Sequence, residues 1–229
     1  MKTTIHLIKS CLAAVLLIGA AARSNAVIYT VDPGATWLGY MNVFELPANG
    51  GAYVFGQAWG TADLQANFSG SVLTLAPNTI ADPSTFWYVG GGMPGAPGNK
   101  IMDANFYQEI TGSLAGQTVT FTGQVLNNSL TPAHSAAAFV KDFAPDYSSS
   151  VDMVVPLTAG VFSVSLDTIN DLNRHVQFGF VMNGVNVWAT DVGPYGQVDI
   201  TAVPEPSLAA LAMMGIVGLM LGKWKAARN

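Results

Sequence analysis

Cysteine is nearly missing from this chain: one residue in 229, Cys11. A lone thiol closes no intramolecular disulfide and cannot build a thiolate zinc site. Cys11 sits in an N-terminal apolar run, so the remainder of the chain has no cysteine nucleophile. Charge is scarce too, at 10% of residues. Six of the nine Lys and Arg lie near the ends, at Lys2, Lys9, Arg23, Lys223, Lys225 and Arg228. Only Lys100, Lys141 and Arg174 stand between Val27 and Val203, against thirteen acids, a formal charge of −10. Such a surface repels phosphate backbones, which excludes nucleic acid as a partner. Three scattered cations are also too few for a phosphate site. No long amphipathic helical pattern occurs between the ends, and no βαβ alternation. There is no Gly-x-Ser-x-Gly elbow. His134 follows Pro132 in a loop and His175 follows Arg174 near a strand start, so both read as ordinary turn or surface residues.

What the middle does contain is short apolar and aromatic segments divided by Gly, Pro and Asn. Trp37 to Leu46 and Ala52 to Trp59 flank Asn49-Gly50, the composition of a tight hairpin. Ala66 to Phe68 and Val72 to Leu75 flank Ser69-Gly70-Ser71. Phe86-Trp87-Tyr88-Val89 runs into a Gly/Pro tract, Gly90 to Asn99, that supports no regular element. Further strands are expected at Asp103 to Thr111, Gln117 to Leu126, Ala136 to Phe143, Val151 to Pro156, Val161 to Leu166, Val176 to Met182, Val185 to Trp188 and Val198 to Thr201. Asn183-Gly184 is the strongest hairpin signal. In the Gln117 segment Val119, Phe121 and Val125 share one side of a period-two pattern. Twelve to fourteen short strands with turns every eight to twelve residues predict an all-β sandwich or barrel. About 177 residues lie between the terminal segments, enough for one domain with a sizeable core.

The ends read differently. Lys2 and Lys9 precede a short apolar stretch, Cys11 to Ala22, and Ser24-Asn25-Ala26 offers small residues to a signal peptidase, so residues 1–26 read as a signal peptide cleaved after Ala26. At the other end Val203-Pro204-Glu205-Pro206-Ser207 is rigid and extended. The uncharged run Leu208 to Gly222 and a basic cluster at Lys223, Lys225 and Arg228 follow it. That order reads as a membrane helix with its basic end in the cytoplasm. Its 15 residues span about 22 Å, short of the ~30 Å hydrocarbon core; Trp224 and the lysines extend it at the interface. The three-part arrangement resembles the PEP-CTERM sorting signal of exosortase substrates in Gram-negative bacteria. The resemblance covers residues 203–229 and implies recognition by an exosortase-type processing enzyme near Pro204-Glu205-Pro206. It also implies export through the inner membrane, transient anchoring there, and delivery to the cell surface or extracellular matrix. The chain then divides into 1–26, a β-sandwich ectodomain at 27–202, and the sorting segment at 203–229.

Within the ectodomain, Thr118 to Val125 followed by Phe139-Val140-Lys141-Asp142-Phe143 resembles the jelly-roll domains of carbohydrate-binding modules and galactose-binding-like folds. The resemblance implies a jelly-roll sandwich over roughly Trp37 to Thr201. Sugar rings present apolar C–H faces to flat aromatics while amides and acids select hydroxyls. The candidates for such contacts are Trp59, Trp87, Tyr88, Tyr107, Tyr147 and Trp188, with Asn105 beside Tyr107. Each also reads as core packing, since aromatics dominate cores. The resemblance further implies a structural Ca²⁺ near Asp199, with Asn42 or Glu45 as partner; solvated surface acids are the alternative. Three function classes follow: an exported, non-enzymatic protein that contacts extracellular polysaccharide, a polysaccharide hydrolase or lyase, and a purely architectural matrix protein. No catalytic residue stands out.

Overall fold

The structure is a computed structural model that describes residues 26–204. Residues 1–25 of the signal peptide, the apolar C-terminal run, Glu205, Pro206 and Ser207 lie outside the described residues; Ala26, its expected last residue, is described. Val203 and Pro204 lie within them and form no regular element. Among the described residues no helix is long and apolar enough to cross a membrane.

Among the described residues, twelve strands make two six-stranded sheets. In one sheet the order is β3 (Tyr53–Ala58), β2 (Leu38–Glu45), β6 (Lys100–Thr111), β11 (His175–Val185), β8 (His134–Phe143) and β9 (Ser150–Pro156), all antiparallel. The other is centred on β7 (Thr118–Asn128). One edge of β7 carries β10 (Gly160–Asp167). Its opposite edge is shared end to end by β1 (Ala26–Thr30), which runs parallel, and β12 (Val198–Thr201). Next to β12 come β5 (Val72–Leu75) and β4 (Ala66–Ser69). From β6 onward the chain changes sheet repeatedly: β6 to β7, β7 to β8, β9 to β10, β10 to β11, and β11 to β12. The result is a β-sandwich.

Strand alternation explains the core. Along β7 the buried positions are Val119, Phe121, Gly123 and Val125, every second residue. Opposite them, β11 turns Val176, Phe178, Phe180 and Met182 inward. Phe121 meets Phe180 edge-on at 5.1 Å between ring centres, and Trp37 stacks on Phe106 at 4.4 Å. Each such ring contributes about 1.5–3 kcal/mol on burial, which is how a chain with one cysteine holds a sandwich without a disulfide.

Four expectations need correction. β1 falls in Ala26–Thr30, where no strand was expected before Trp37; its β-branched Val27, Ile28 and Thr30 were the available signal. The β2–β3 connection is wider than a two-residue turn, because Pro47–Asn49 forms a 3-10 turn. Asn183-Gly184 is not a hairpin. β11 runs straight through it and pairs Asn183 with both Asp103 and Ser135. Gly184 serves close approach: a Cβ there would stand 2.1 Å from His134 Cδ2 and 2.8 Å from Ala133 O. Of the expected strand at Val185 to Trp188, Val185 ends β11 and Val187 makes a single bridge to Thr79.

Candidate functional site: the outward face of the β2–β6–β11–β8 sheet

β6 reads in two registers. Met102, Ala104 and Phe106 are buried and face the core. Asp103, Asn105, Tyr107 and Glu109 alternate with them and face outward. The ladder then places specific neighbours on that outward face. Tyr40 of β2 pairs with Asn105, and Glu109 with Gln177 of β11. Gln177 pairs in turn with Lys141 of β8, and His175 with Phe143. Opposite Tyr107 and Phe139 lies Gly179. A Cβ at 179 would meet Phe106 O at 2.2 Å and Tyr107 Cα at 2.6 Å. Glycine is what lets the backbone of β6 and its tyrosine close over β11. Tyr107 is only 8% exposed although it lies on the outer face.

The turn after β8 supplies the rim. Tyr147 projects from it with φ at +57°, the left-handed region. A bulky side chain there costs about 1–3 kcal/mol. What offsets that strain is on the groove side. Tyr147 donates its hydroxyl hydrogen to Glu109 Oε1 (3.0 Å) and stacks on the His175 ring, 4.5 Å between centres and 10° from parallel. Desolvation and the hydrogen bond to Glu109 push its phenol up to about 12. Asp146 caps the same turn, accepting from the Ser148 N–H and hydroxyl, which holds its carboxyl below the usual range.

These residues enclose a groove of about 500 Å³, lined by Tyr40 and Asn42 from β2, Asn105, Tyr107 and Glu109 from β6, Gln177 from β11, Lys141 and Phe143 from β8, and Tyr147. Its polar groups are tied into two small networks. Asp103 accepts from the side-chain amides of Asn105 (2.5 Å), Asn42 and Asn183 (3.4 Å each). Asn105 in turn accepts from Lys141 Nζ at 3.1 Å, and that ammonium lies 4.2 Å from the centre of the Phe139 ring. Burial lowers the Lys141 pKa, against the opposing pull of Asp103 and Asp152. Glu109 accepts from Gln177 Nε2 at 2.7 Å as well as from Tyr147. Burial, with Glu109 and Tyr40 nearby, raises the Tyr107 phenol. The size and lining, aromatic walls with a few oriented amides and charges, match those of a small-molecule site.

No family model, curated protein or solved structure matches this chain.

Of the seven residues expected to contact carbohydrate, Asn105, Tyr107 and Tyr147 meet in this groove. The other four do not. Tyr88 is a correction: it is 0% exposed, and its hydroxyl lies 2.6 Å from Ile80 O and 2.9 Å from Val187 O, so it has no face for a ligand. The segment holding it is a turn, closed by the N–H groups of Trp87 and Tyr88 on Ser84 O. Trp188 packs edge-on against Tyr88 beside the core. Trp59 and Trp87 are half-buried and line a separate cleft with Asp63 and Asp82. Trp87 also packs edge-on against Phe55 and Phe86.

The residues expected to share a calcium ion are not brought together. Asn42 faces outward on one sheet, while Asp199 faces outward on the other, where it accepts from Thr74 and Gln197. The thickness of the sandwich separates them. Glu45 is engaged by Lys100 Nζ at 3.0 Å. These three residues do not fit a shared ion, and among the described residues no group of three His, Asp or Glu is placed to hold one.

Sequence reading missed Tyr40, Glu109, Lys141, Phe143 and Gln177 as groove residues. The signal for one of them was present. Asp103-x-Asn105-x-Tyr107-x-Glu109 is a polar and aromatic face whose intervening residues are the apolar Ala104 and Phe106, followed by Gln108.

Proposed function

We propose that the chain is an exported, non-enzymatic β-sandwich of jelly-roll type that binds extracellular carbohydrate through the outward groove on β2, β6, β11 and β8. The observation that carries this reading is the groove itself. Four aromatic rings, Tyr40, Tyr107, Phe143 and Tyr147, stand among the amides of Asn42, Asn105 and Gln177 on one sheet face. Stacking on sugar C–H faces and hydrogen bonding to hydroxyls need that mixture. The strained backbone of Tyr147 supports it, since such outliers cluster at ligand sites. The repeated change of sheet from β6 onward supports the jelly-roll description.

The spacing of acids favours binding over hydrolysis. A glycosidase sets two carboxyl groups about 5–10 Å apart. Asp103 and Glu109 are six positions apart on β6, about 20 Å along the strand. Asp152 lies three strands across from Glu109, about 14 Å. Export and sorting rest on the two terminal segments: signal peptidase would release Val27, and an exosortase-type enzyme would act near Pro204-Glu205-Pro206.

Isothermal titration with a series of oligosaccharide hexamers tests the binding reading. At least one hexamer is expected to bind, and Tyr107→Ala is expected to weaken that binding about tenfold or more, the scale of one lost stacking platform with its neighbouring hydrogen bonds. Equal affinity in a folded Tyr107→Ala variant would contradict the proposal.

A further inference from the structure

The groove is unbalanced in charge and in hydrogen-bond polarity. The domain between the terminal segments has three cations. Lys100 is held by Glu45 and Arg174 by Asp142, both away from the groove. Lys141 is the cation in the groove, and its hydrogen bond goes to the Asn105 amide oxygen and not to a carboxylate. Asp103, Glu109 and Asp152 share that outward face and form no ion pair with Lys or Arg among the described residues. His175 approaches Glu109 only to 4.0 Å.

The acceptors are also underused. Gln177 is buried to more than nine-tenths. Its Nε2 is spent on Glu109, and its amide oxygen, on a side chain that lines the groove, has no donor among the described residues. Each carboxylate offers about four acceptor positions. Glu109 uses two of them, for Tyr147 and Gln177. Lys141 is a single cationic donor set against three acids on that face.

We infer that the preferred ligand is a glycan bearing free amino groups, a de-N-acetylated amino-sugar polymer, held by its ammonium groups against Glu109 and the Gln177 oxygen with its rings against Tyr107 and Tyr147. An ammonium supplies three donors and the missing charge. A uronate polymer brings more anions to an already anionic face and is rejected. This inference rests on the glycan reading above and narrows it to one chemical class.

The test is a titration of the full-length protein with three probes, at a pH where sugar amines are protonated: glucosamine hexamer, N-acetylglucosamine hexamer and galacturonate hexamer. The glucosamine hexamer is expected to bind about tenfold tighter than its N-acetylated counterpart, the scale of one charge-assisted hydrogen bond, and galacturonate not measurably. The advantage of the free amine is expected to shrink to about threefold or less in 1 M salt, where the screening length is about 3 Å, and likewise in Glu109→Gln. Equal or tighter binding of the N-acetylated or galacturonate hexamer overturns the inference. If that binding is lost in Tyr107→Ala, the glycan reading survives. If no hexamer binds, both fall together.

Discussion

Arg174→Leu is expected to lower the unfolding free energy by about 3–5 kcal/mol, the cost of stranding a buried charge. Asp142 lies at the end of β8, is 0% exposed, and faces inward. Its Oδ1 accepts from Arg174 Nε at 2.9 Å, its Oδ2 from the Ile169 N–H at 2.7 Å, and its backbone oxygen from Arg174 Nη2 at 2.7 Å. One carboxylate thus fastens the β10–β11 connection to the end of β8, next to the rim where Tyr147 stacks on His175. Native domains have about 5–15 kcal/mol in hand, so this variant sits near the edge of unfolding at room temperature. Asp142→Leu combined with Arg174→Leu is expected to recover part of the loss, because no charge is then left buried. The residual cost is the unsatisfied Ile169 N–H, about 1–3 kcal/mol. Urea denaturation of the two variants checks this. A single mutant within about 1 kcal/mol of wild type would show that water reaches Asp142.

Gly179→Ala is expected to cost about 2–3 kcal/mol, an overpacking penalty at the upper end of the usual range. The magnitude follows from what the methyl would meet: Phe106 O at 2.2 Å and Tyr107 Cα at 2.6 Å, both backbone atoms that no rotamer change can move. β6 must separate from β11, and Tyr107 must lift from the groove floor. The variant should therefore lose glycan affinity together with stability, even under conditions where it remains folded. Urea midpoints and hexamer titration measure the two effects. A fully stable variant with unchanged affinity would mean that β6 and β11 tolerate a wider spacing, and that the floor is not set by this glycine.

How much of this was legible before the structure depended on range. Local alternation gave the strands: Val119, Phe121 and Val125 share the buried side of β7, as their spacing predicts. Tight turns between short segments gave the β2–β3 and β4–β5 pairings. Glycine was the chief source of error. Asn183-Gly184 has hairpin composition, yet its glycine answers a steric demand from His134, which only the folded neighbour reveals. The aromatic run at Phe86 to Tyr88, ahead of a Gly/Pro tract, reads from sequence as either core or ligand contact. That tract folds back, with Tyr88 bridged to Gly98 and Gly95 N–H donating to Asp191, and carries Tyr88 into the core.

The groove was half legible. Asn105 and Tyr107 stand together on one strand, and Tyr147 lies in a readable turn. Lys141 and Gln177 join them only through the order β6-β11-β8, which sets residues far apart in sequence side by side. No local pattern encodes that order. Asn42, first considered for an ion, lines the same groove for a different reason: on β2 it projects from the same face as Tyr40.

The central claim is that the outward face of the β2–β6–β11–β8 sheet is the ligand surface. The most direct measurement is an amide ¹H–¹⁵N titration of isotopically labelled protein with glucosamine hexamer. The account predicts that the shifted signals concentrate at Asn42, Asn105, Tyr107, Lys141, Tyr147 and Gln177. Shifts confined instead to the cleft at Trp59 and Trp87, or spread without a focus, would contradict it.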